Sequence, residues 1–240
     1  MIEHRINRAE LKTAIVFDLD GTLVDTAEDL VYSINYMRGT LDLAPLSRPE
    51  VLRSVGRGAG VLIEKTLNVP TADTKRHRDL LDTFRAHYRA HQGERSVPYP
   101  NIRETLTLLA EHSDLYVLSN KPLDATRREV ELAGLTDRFK AIWGAGSFSH
   151  LKPEPDGLFA AMKHSNADAA HTVMVGDLYV DIETAFRAEA SSVFVSWGFG
   201  QREDLHRSPD AEIDSPEQLP SALSALPGFT ETFAKWRSAY

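Results

Sequence analysis

The 240-residue chain reads as an α/β protein, a doubly wound parallel sheet carrying an inserted all-helical domain. Three observations predict this. Short apolar runs at 14–17, 115–118, 172–175 and 192–195 have the composition of strands buried on both faces. From Asn101 onward these runs alternate with helix-periodic segments, the arrangement that builds parallel sheets. Between Ala27 and about Ser96 the apolar spacing is helical throughout, which separates the first strand from its partners. The expected organisation is a core of residues 1–25 and 97–240, with a helical domain of residues 26–96 inserted into it.

The first strand, Ala14-Ile15-Val16-Phe17, stops at Asp18 and Asp20, with Gly21 and Thr22 behind them. Asp25 or Thr26 can cap a helix whose Leu30, Ile34 and Met37 share one face. A short helix follows over 49–55, with Pro49 early, where helix starts accept it. Gly56-Arg57-Gly58-Ala59-Gly60 leads into a helical pattern through Val61, Leu62 and Leu67. The longest helix, 74–91, spaces Leu80, Leu81, Phe84 and Tyr88 as core residues. Val97-Pro98-Tyr99-Pro100 closes the insertion as a stiff linker.

The core resumes with a helix over 102–112, the strand 115–118 ending at Ser119-Asn120, and a helix over 123–133 stopped by Gly134. A weak strand, 141–145, precedes a helix over 157–164. The strand 172–175 ends at Gly176-Asp177, and a helix over 181–189 leads to the strand 192–195. A helix over 217–226 closes the pattern, and Phe229, Phe233 and Trp236 give the tail, 229–240, a face to pack as a further helix. There is no internal repeat and no low-complexity segment.

Hydrophobic content of 42% and charged content of 26% are ordinary for a soluble globular chain. A formal charge of −8 argues against a nucleic-acid partner, which calls for a basic surface. It does not exclude a small anionic substrate, provided a metal and a few cations sit in the site. The absence of cysteine excludes disulfides, thiol nucleophiles and thiolate metal sites, and fits a cytoplasmic location. Residues 1–13 are charged and lack the apolar core of a secretory signal. No run reaches membrane-spanning length, so no membrane partner is expected.

A charge at the end of a buried strand is costly unless a partner or metal offsets it. Carboxylates two positions apart share a side only if the strand persists; a turn at Gly21 instead lets Asp18 and Asp20 reach one site at the sheet's carboxyl edge. Open parallel sheets bind ligands there. Asp-Gly alone is ordinary turn chemistry, but Asp18-Leu19-Asp20-Gly21-Thr22 after four apolar residues is far more specific. Ser119-Asn120, Lys152-Pro153, and Asp177 with Asp181 follow successive later strands. Singly these are a turn, a loop and helix-dipole charges. Together they describe one site.

Asp18-Leu19-Asp20-Gly21-Thr22 resembles the first motif of the haloacid dehalogenase superfamily, most of whose members are Mg-dependent phosphohydrolases, and the other three groups follow in that superfamily's order. The helical insertion directly after this motif resembles the members that carry a helical cap on a Rossmann-like core. The resemblance implies Asp18 as the nucleophile that becomes an aspartyl phosphate. It implies Asp20 as general acid for the leaving alcohol and then as base for water. Ser119 would bind the transferring phosphoryl oxygens, with Gly21, Thr22 and Asn120 also on the substrate. Lys152 would neutralise charge on the phosphoryl group and on Asp18. Mg2+ would be held by Asp18, the backbone carbonyl of Asp20, and Asp177, with Asp181 supporting it from behind or through a water. Dehalogenases lack an acid at the Asp20 position because halide leaves without a proton, so Asp20 argues for phosphate esters.

Further segments are similar to bacterial phosphoglycolate phosphatases: Gly56-Arg57-Gly58-Ala59-Gly60-Val61-Leu62 to their Gly-x-Gly segment, Ser119-Asn120-Lys121-Pro122 to their Thr-Asn-Lys-Pro, Lys152-Pro153-Glu154-Pro155 to their Lys-Pro-x-Pro, and Trp197-Gly198-Phe199-Gly200 to their aromatic-Gly segment. This implies a small phosphorylated metabolite as substrate, led by 2-phosphoglycolate, and a monomer or homodimer. Arg57 and Gly58 become candidates for substrate binding, Arg57 for a carboxylate or second phosphate. The same glycines also suit a plain interhelical turn. The chain departs from the family at Gly176-Asp177-Leu178-Tyr179-Val180-Asp181, where the usual hydroxyl has become Leu178, and at Ala190, where relatives often carry Gly. The alternatives are a phosphatase of another small metabolite (a sugar phosphate, nucleoside monophosphate or pyrophosphate), a sugar phosphomutase of the same fold, or a silent binding protein. Thr22 favours the phosphatases over the mutases, and the full set of charged motif residues disfavours silence. His87 and His91 have metal-compatible spacing but only Glu94 nearby, so they read as a polar helix face. Arg127 and Arg128 follow a helix rhythm toward solvent.

Overall fold

The computed structural model describes residues 12–70 and 73–236. Most of 1–13, read above for a secretory signal, and the end of the tail at 237–240 lie outside the described residues. The chain runs through β1 (Ala14–Phe17), β2 (Val24–Asp25), α1 (Ala27–Gly39), α2 (Arg48–Leu52), α3 (Ala59–Leu67), α4 (Thr74–His91) and β3 (Val97–Pro98). It continues through α5 (Ile102–Ala110), β4 (Asp114–Pro122), α6 (Leu123–Leu132), β5 (Ala141–Ala145), α7 (Asp156–Ser165) and β6 (Thr172–Gly176). α8 (Tyr179–Arg187), β7 (Ser191–Val195), β8 (Ala211–Ile213) and α9 (Leu219–Ser224) complete it.

Six strands form one sheet in the order β5-β4-β1-β6-β7-β8, and every pairing is parallel. β1 lies in the middle, which explains its unbroken apolar composition. Ala14 and Val16 pack with Tyr116, Met174, Leu158 and Ala185 on one face. Ile15 and Phe17 pack with Val117, Val175, Leu106 and Phe229 on the other. The chain winds outward from β1 to β4 and β5, then crosses back to β6 and continues to β7 and β8. That reversal opens a crevice at the carboxyl ends of β1, β4 and β6, the usual ligand position in such sheets.

Helices α1 to α4 keep a separate hydrophobic cluster that includes Leu30, Ile34, Met37, Val51, Ile63, Leu67 and Phe84. Asp29, buried on α1, accepts hydrogen bonds from the N–H groups of Gly93, Arg95 and Ser96 at 2.8, 3.1 and 3.2 Å. It thereby ties the start of the insertion to its end. The segment expected as a stiff linker also pairs: Val97 and Pro98 form a short antiparallel ladder with Asp25 and Val24. Among the described residues no helix is long and apolar enough to cross a membrane.

The structure differs from the sequence expectation at the carboxyl end. β8 is a three-residue edge strand with only Ile213 buried, too short to show a period. The expected helix 217–226 is a 3-10 turn at Pro216–Gln218 followed by α9. Phe229 and Phe233 are fully buried, so the described part of the tail does pack, but as turns and a 3-10 turn at Ala234–Trp236. α9 ends at Ser224, and Gly228, at φ +75°, turns the chain ahead of these aromatics.

Candidate active site

Asp18 follows β1 directly, and its N–H donates to the Val175 carbonyl at 2.9 Å, extending the ladder one residue past the strand. Gly21, at φ +90°, turns the chain so that its N–H reaches the Val24 carbonyl at 2.9 Å. A Cβ on Gly21 would overlap the Asp177 carboxylate, so only glycine permits this approach. Thr22 Oγ1 then donates to Asp177 Oδ1 at 2.9 Å. The backbone N–H groups of Phe199 and Gly200 donate to Asp177 Oδ2 at 2.7 and 3.4 Å. Trp197-Gly198-Phe199-Gly200 thus wraps the acid with main chain.

Lys152 Nζ lies between two carboxylates, 2.8 Å from Asp18 Oδ1 and 2.6 Å from Asp181 Oδ1. Asp181 Oδ2 accepts the Leu178 N–H at 3.0 Å at the start of α8. Asp18, Asp177 and Asp181 are all buried and each brings an oxygen within 4.8 Å of the others. Burial pushes the Asp18 carboxyl up to about 7, against the pull of Lys152. Burial, then the charges of Asp18 and Asp181, push Asp177 up to about 8, against its bonds from Phe199 and Thr22. Burial alone would lower the Lys152 ammonium, but Asp18 and Asp181 more than reverse this and raise it. Once ionised, three carboxylates against one ammonium leave an excess of negative charge, and the donors are hard oxygens only. That set fits a divalent cation.

The Asp20 carboxylate stands apart from this cluster. Its Oδ1 accepts hydrogen bonds from Thr26 Oγ1 at 2.7 Å and Lys121 Nζ at 2.8 Å. Asp18 and Asp20 nevertheless line the same cavity, about 990 Å³ between the sheet edge and the helical insertion. Ser119, Asn120, Lys152, Gly56 and Gly58 line it too. Ser119 Oγ accepts the Lys121 N–H at 3.2 Å. The Asn120 amide is fully engaged: Nδ2 donates to the Gly56 and Lys152 carbonyls at 2.8 and 2.9 Å, and Oδ1 accepts the Lys152 N–H at 2.8 Å. It acts as a strut that joins the glycine loop of the insertion to the loop holding Lys152.

Arg57 is exposed and does not border the cavity. The arginines that do are Arg85, Arg89, Arg127 and Arg128. Arg85 pairs with Asp82 at 3.4 Å and Arg89 with Asp124 at 3.6 Å, whereas Arg127 and Arg128 have no ion pair among the described residues. A helix rhythm identified the last two as exposed; it carries no information that the exposed face borders a cavity. His87 and His91 have ring centroids 4.6 Å apart and pack against Tyr36 and Tyr32, His91 Nδ1 lies 3.1 Å from Glu94 Oε1, and neither histidine lines the cavity.

Sequence reasoning passed over a buried polar joint behind Asp20. Lys121 contacts Glu129, Tyr88 and Asp20, and Gln92 contacts Glu129. The available signal was Glu129, an acid on the same α6 face as the buried Thr126 and Val130.

Residues 15–195 match the family described as haloacid dehalogenase-like hydrolase. The chain is 35% identical over 219 residues to a phosphoglycolate phosphatase of Agrobacterium fabrum, covering 89% of this chain and 93% of the relative. It is 33% identical to a phosphoglycolate phosphatase of Mesorhizobium japonicum, with 88% and 94% covered. The crystal structure of a predicted phosphoglycolate phosphatase from Haemophilus somnus superposes with a TM-score of 0.77 at 27% identity, over 87% of this chain and 96% of that one.

Proposed function

The chain belongs to the haloacid dehalogenase-like hydrolases, and on that premise we propose that it is a phosphoric monoester hydrolase acting on 2-phosphoglycolate through an aspartyl phosphate. The observation that carries the chemistry is the pair Asp18 and Asp20, which line one cavity in different settings. Asp18 holds Lys152 at 2.8 Å, and Asp20 holds Thr26 and Lys121 at 2.7 and 2.8 Å. An oxygen of Asp18 attacks phosphorus as the bond to the leaving oxygen breaks, and Asp20 gives that oxygen its proton. Asp20 then takes a proton from water, which attacks phosphorus, breaks the bond to Asp18 and releases phosphate. Lys152 offsets the charge that accumulates between Asp18 and the phosphoryl group, and Ser119, which lines the same cavity, binds a phosphoryl oxygen.

Asp18, Asp177 and the Asp20 carbonyl, with Asp181 beside them, would hold Mg2+. When bound, the ion polarises the phosphoryl oxygens and reduces repulsion between nucleophile and substrate. The insertion, 26–96, would act as a cap that closes the cavity and selects the leaving group, against a core of 1–25 and 97–240. The relatives named as phosphoglycolate phosphatases support the substrate, and the cavity arginines supply donors for its carboxylate. The lack of cysteine supports a cytoplasmic setting.

The test is Mg-dependent phosphate release from 2-phosphoglycolate, sugar phosphates, nucleoside monophosphates and pyrophosphate. A preference in kcat/KM for 2-phosphoglycolate is expected, with release abolished and the fold retained in Asp18→Asn. Release from another ester at higher efficiency would refute the substrate, and an active Asp18→Asn would refute the nucleophile.

A further inference from the structure

We propose that Lys121 is a positioning residue that aims Asp20 when the helical insertion is seated, acting through a buried joint with Glu129, Tyr88 and Gln92. The inference rests on the phosphatase reading above. Although Lys121 lines the cavity, its ammonium has no donor left for a substrate. Its three N–H groups match three acceptors: Asp20 Oδ1 at 2.8 Å, Tyr88 OH at 2.7 Å and Glu129 Oε2 at 3.2 Å. The side chains of Lys121 and Glu129 are 8% and 1% exposed, so water does not replace these partners.

The joint crosses the boundary between insertion and core. Lys121 and Glu129 belong to β4 and α6, whereas Tyr88 lies on α4 and Gln92 directly follows it. Tyr88 OH donates to Glu129 Oε2 at 3.2 Å and Gln92 Nε2 donates to the same oxygen at 2.8 Å. Two carboxylates, Asp20 and Glu129, therefore compete for one ammonium, and the insertion arbitrates. With α4 docked, Tyr88 and Gln92 satisfy Glu129, and Lys121 remains available to Asp20. With α4 withdrawn, Glu129 loses two donors, and Lys121 is the charged donor that remains beside it, so the ammonium shifts from Asp20 toward Glu129.

Asp20 is held from both sides of the crevice. Thr26, at the outgoing crossing into the insertion, and Lys121, at the end of β4, both bond to Oδ1. Among the described residues the hydrogen bonds fall on that oxygen, which leaves Oδ2 to meet the leaving group. Seating the insertion thus couples cavity closure to the aim of the acid.

The experiment compares kcat/KM in Mg2+ for 2-phosphoglycolate, whose alkoxide needs a proton to leave, with p-nitrophenyl phosphate, whose phenolate does not. Lys121→Met should lower the first about 100-fold or more, the range of general acid catalysis, and the second less than about fivefold. Asp20→Asn, run as reference, should show the same contrast. Tyr88→Phe, which keeps the ring and removes only the hydroxyl, should show a smaller contrast of the same sign and carries the test alone if Lys121→Met does not fold. Equal losses on both esters mark a merely structural role and overturn the proposal, as does no loss on either. Wild-type protein that hydrolyses neither ester sinks the phosphatase reading and this inference with it. Wild-type activity on both, with variants that lose them equally, sinks the inference alone.

Discussion

Divalent-cation binding should strengthen steeply between pH 6 and pH 8 and then level off. Asp18 and Asp177 are raised to about 7 and about 8, burial being the first cause in both, from an ordinary carboxyl value of 3.8. A cation must therefore displace protons at pH 6, up to one from each group, and almost none at pH 9. Each displaced proton contributes about a tenfold gain in apparent affinity per pH unit. The expected gain is about 10- to 100-fold from pH 6 to 7 and up to about tenfold from pH 7 to 8. The same shifts set the sign for the metal-free fold. Between pH 4 and pH 8 the native state holds protons that the unfolded chain has released, so stability is highest at the acid side and falls as pH rises through 7 to 8. Added Mg2+ should reverse that fall by binding the native state alone. Titration calorimetry in buffers of different ionisation enthalpy reads both affinity and protons released. One to two protons released at pH 6, falling toward zero at pH 9, is the expected result. An affinity equal at pH 6 and pH 8, with no proton released, would refute the assignment of Asp18 and Asp177 to the cation.

Three further outcomes follow from the geometry. Gly200→Ala places a Cβ against the Asp177 carbonyl and should destabilise by about 1–3 kcal/mol, the usual cost of overpacking; an unchanged melting temperature would show that the loop yields freely. Arg127→Ala and Arg128→Ala together should raise KM for 2-phosphoglycolate more than for an ester with an uncharged leaving group, while Arg57→Ala should leave both unchanged, a split that steady-state kinetics reads directly. Leu178→Ser should leave Mg2+ affinity within about twofold, because it is the Leu178 N–H and not its side chain that reaches Asp181 at 3.0 Å. Its effect should fall on KM instead, through the lost packing of Leu178 against the Gly56 loop.

The parallel sheet was legible because its strands are buried on both faces and say so in composition. β1 needs no partner in view to read as a central strand, since Ala14 to Phe17 leave no residue for solvent. The pairing of Val24 and Asp25 with Val97 and Pro98 was not legible, because two residues cannot show a period and Pro98 argues against a ladder. The acids at the sheet edge were legible for a related reason. Once strands are parallel, their carboxyl ends share one edge, so Asp18, Ser119 and Asp177 are neighbours whatever the loops do. Lys152 and Asp181 join them through loops short enough to leave little choice.

Residues of the insertion were harder to read, and the reason is geometric rather than statistical. Arg57 becomes a candidate through the resemblance of its segment and its forked donors, but the glycines on either side of it adopt φ +100° and +86°. The turn they make presents the Gly56 carbonyl to Asn120, 2.8 Å away, and leaves the Arg57 side chain in solvent. The helix period makes Tyr88 a core residue, and it is one, at 5% exposure; periodicity treats its ring as apolar and carries no information on where the hydroxyl ends. That hydroxyl meets Lys121 and Glu129, 33 and 41 residues away in the chain, because the end of α4 reaches α6, where Arg89 also pairs with Asp124. The acids proposed for the chemistry can thus be found from one strand and the turn after it. The contacts of Lys121 with Tyr88 and Glu129 depend on how the insertion meets the core, and the sequence of neither part contains that relation.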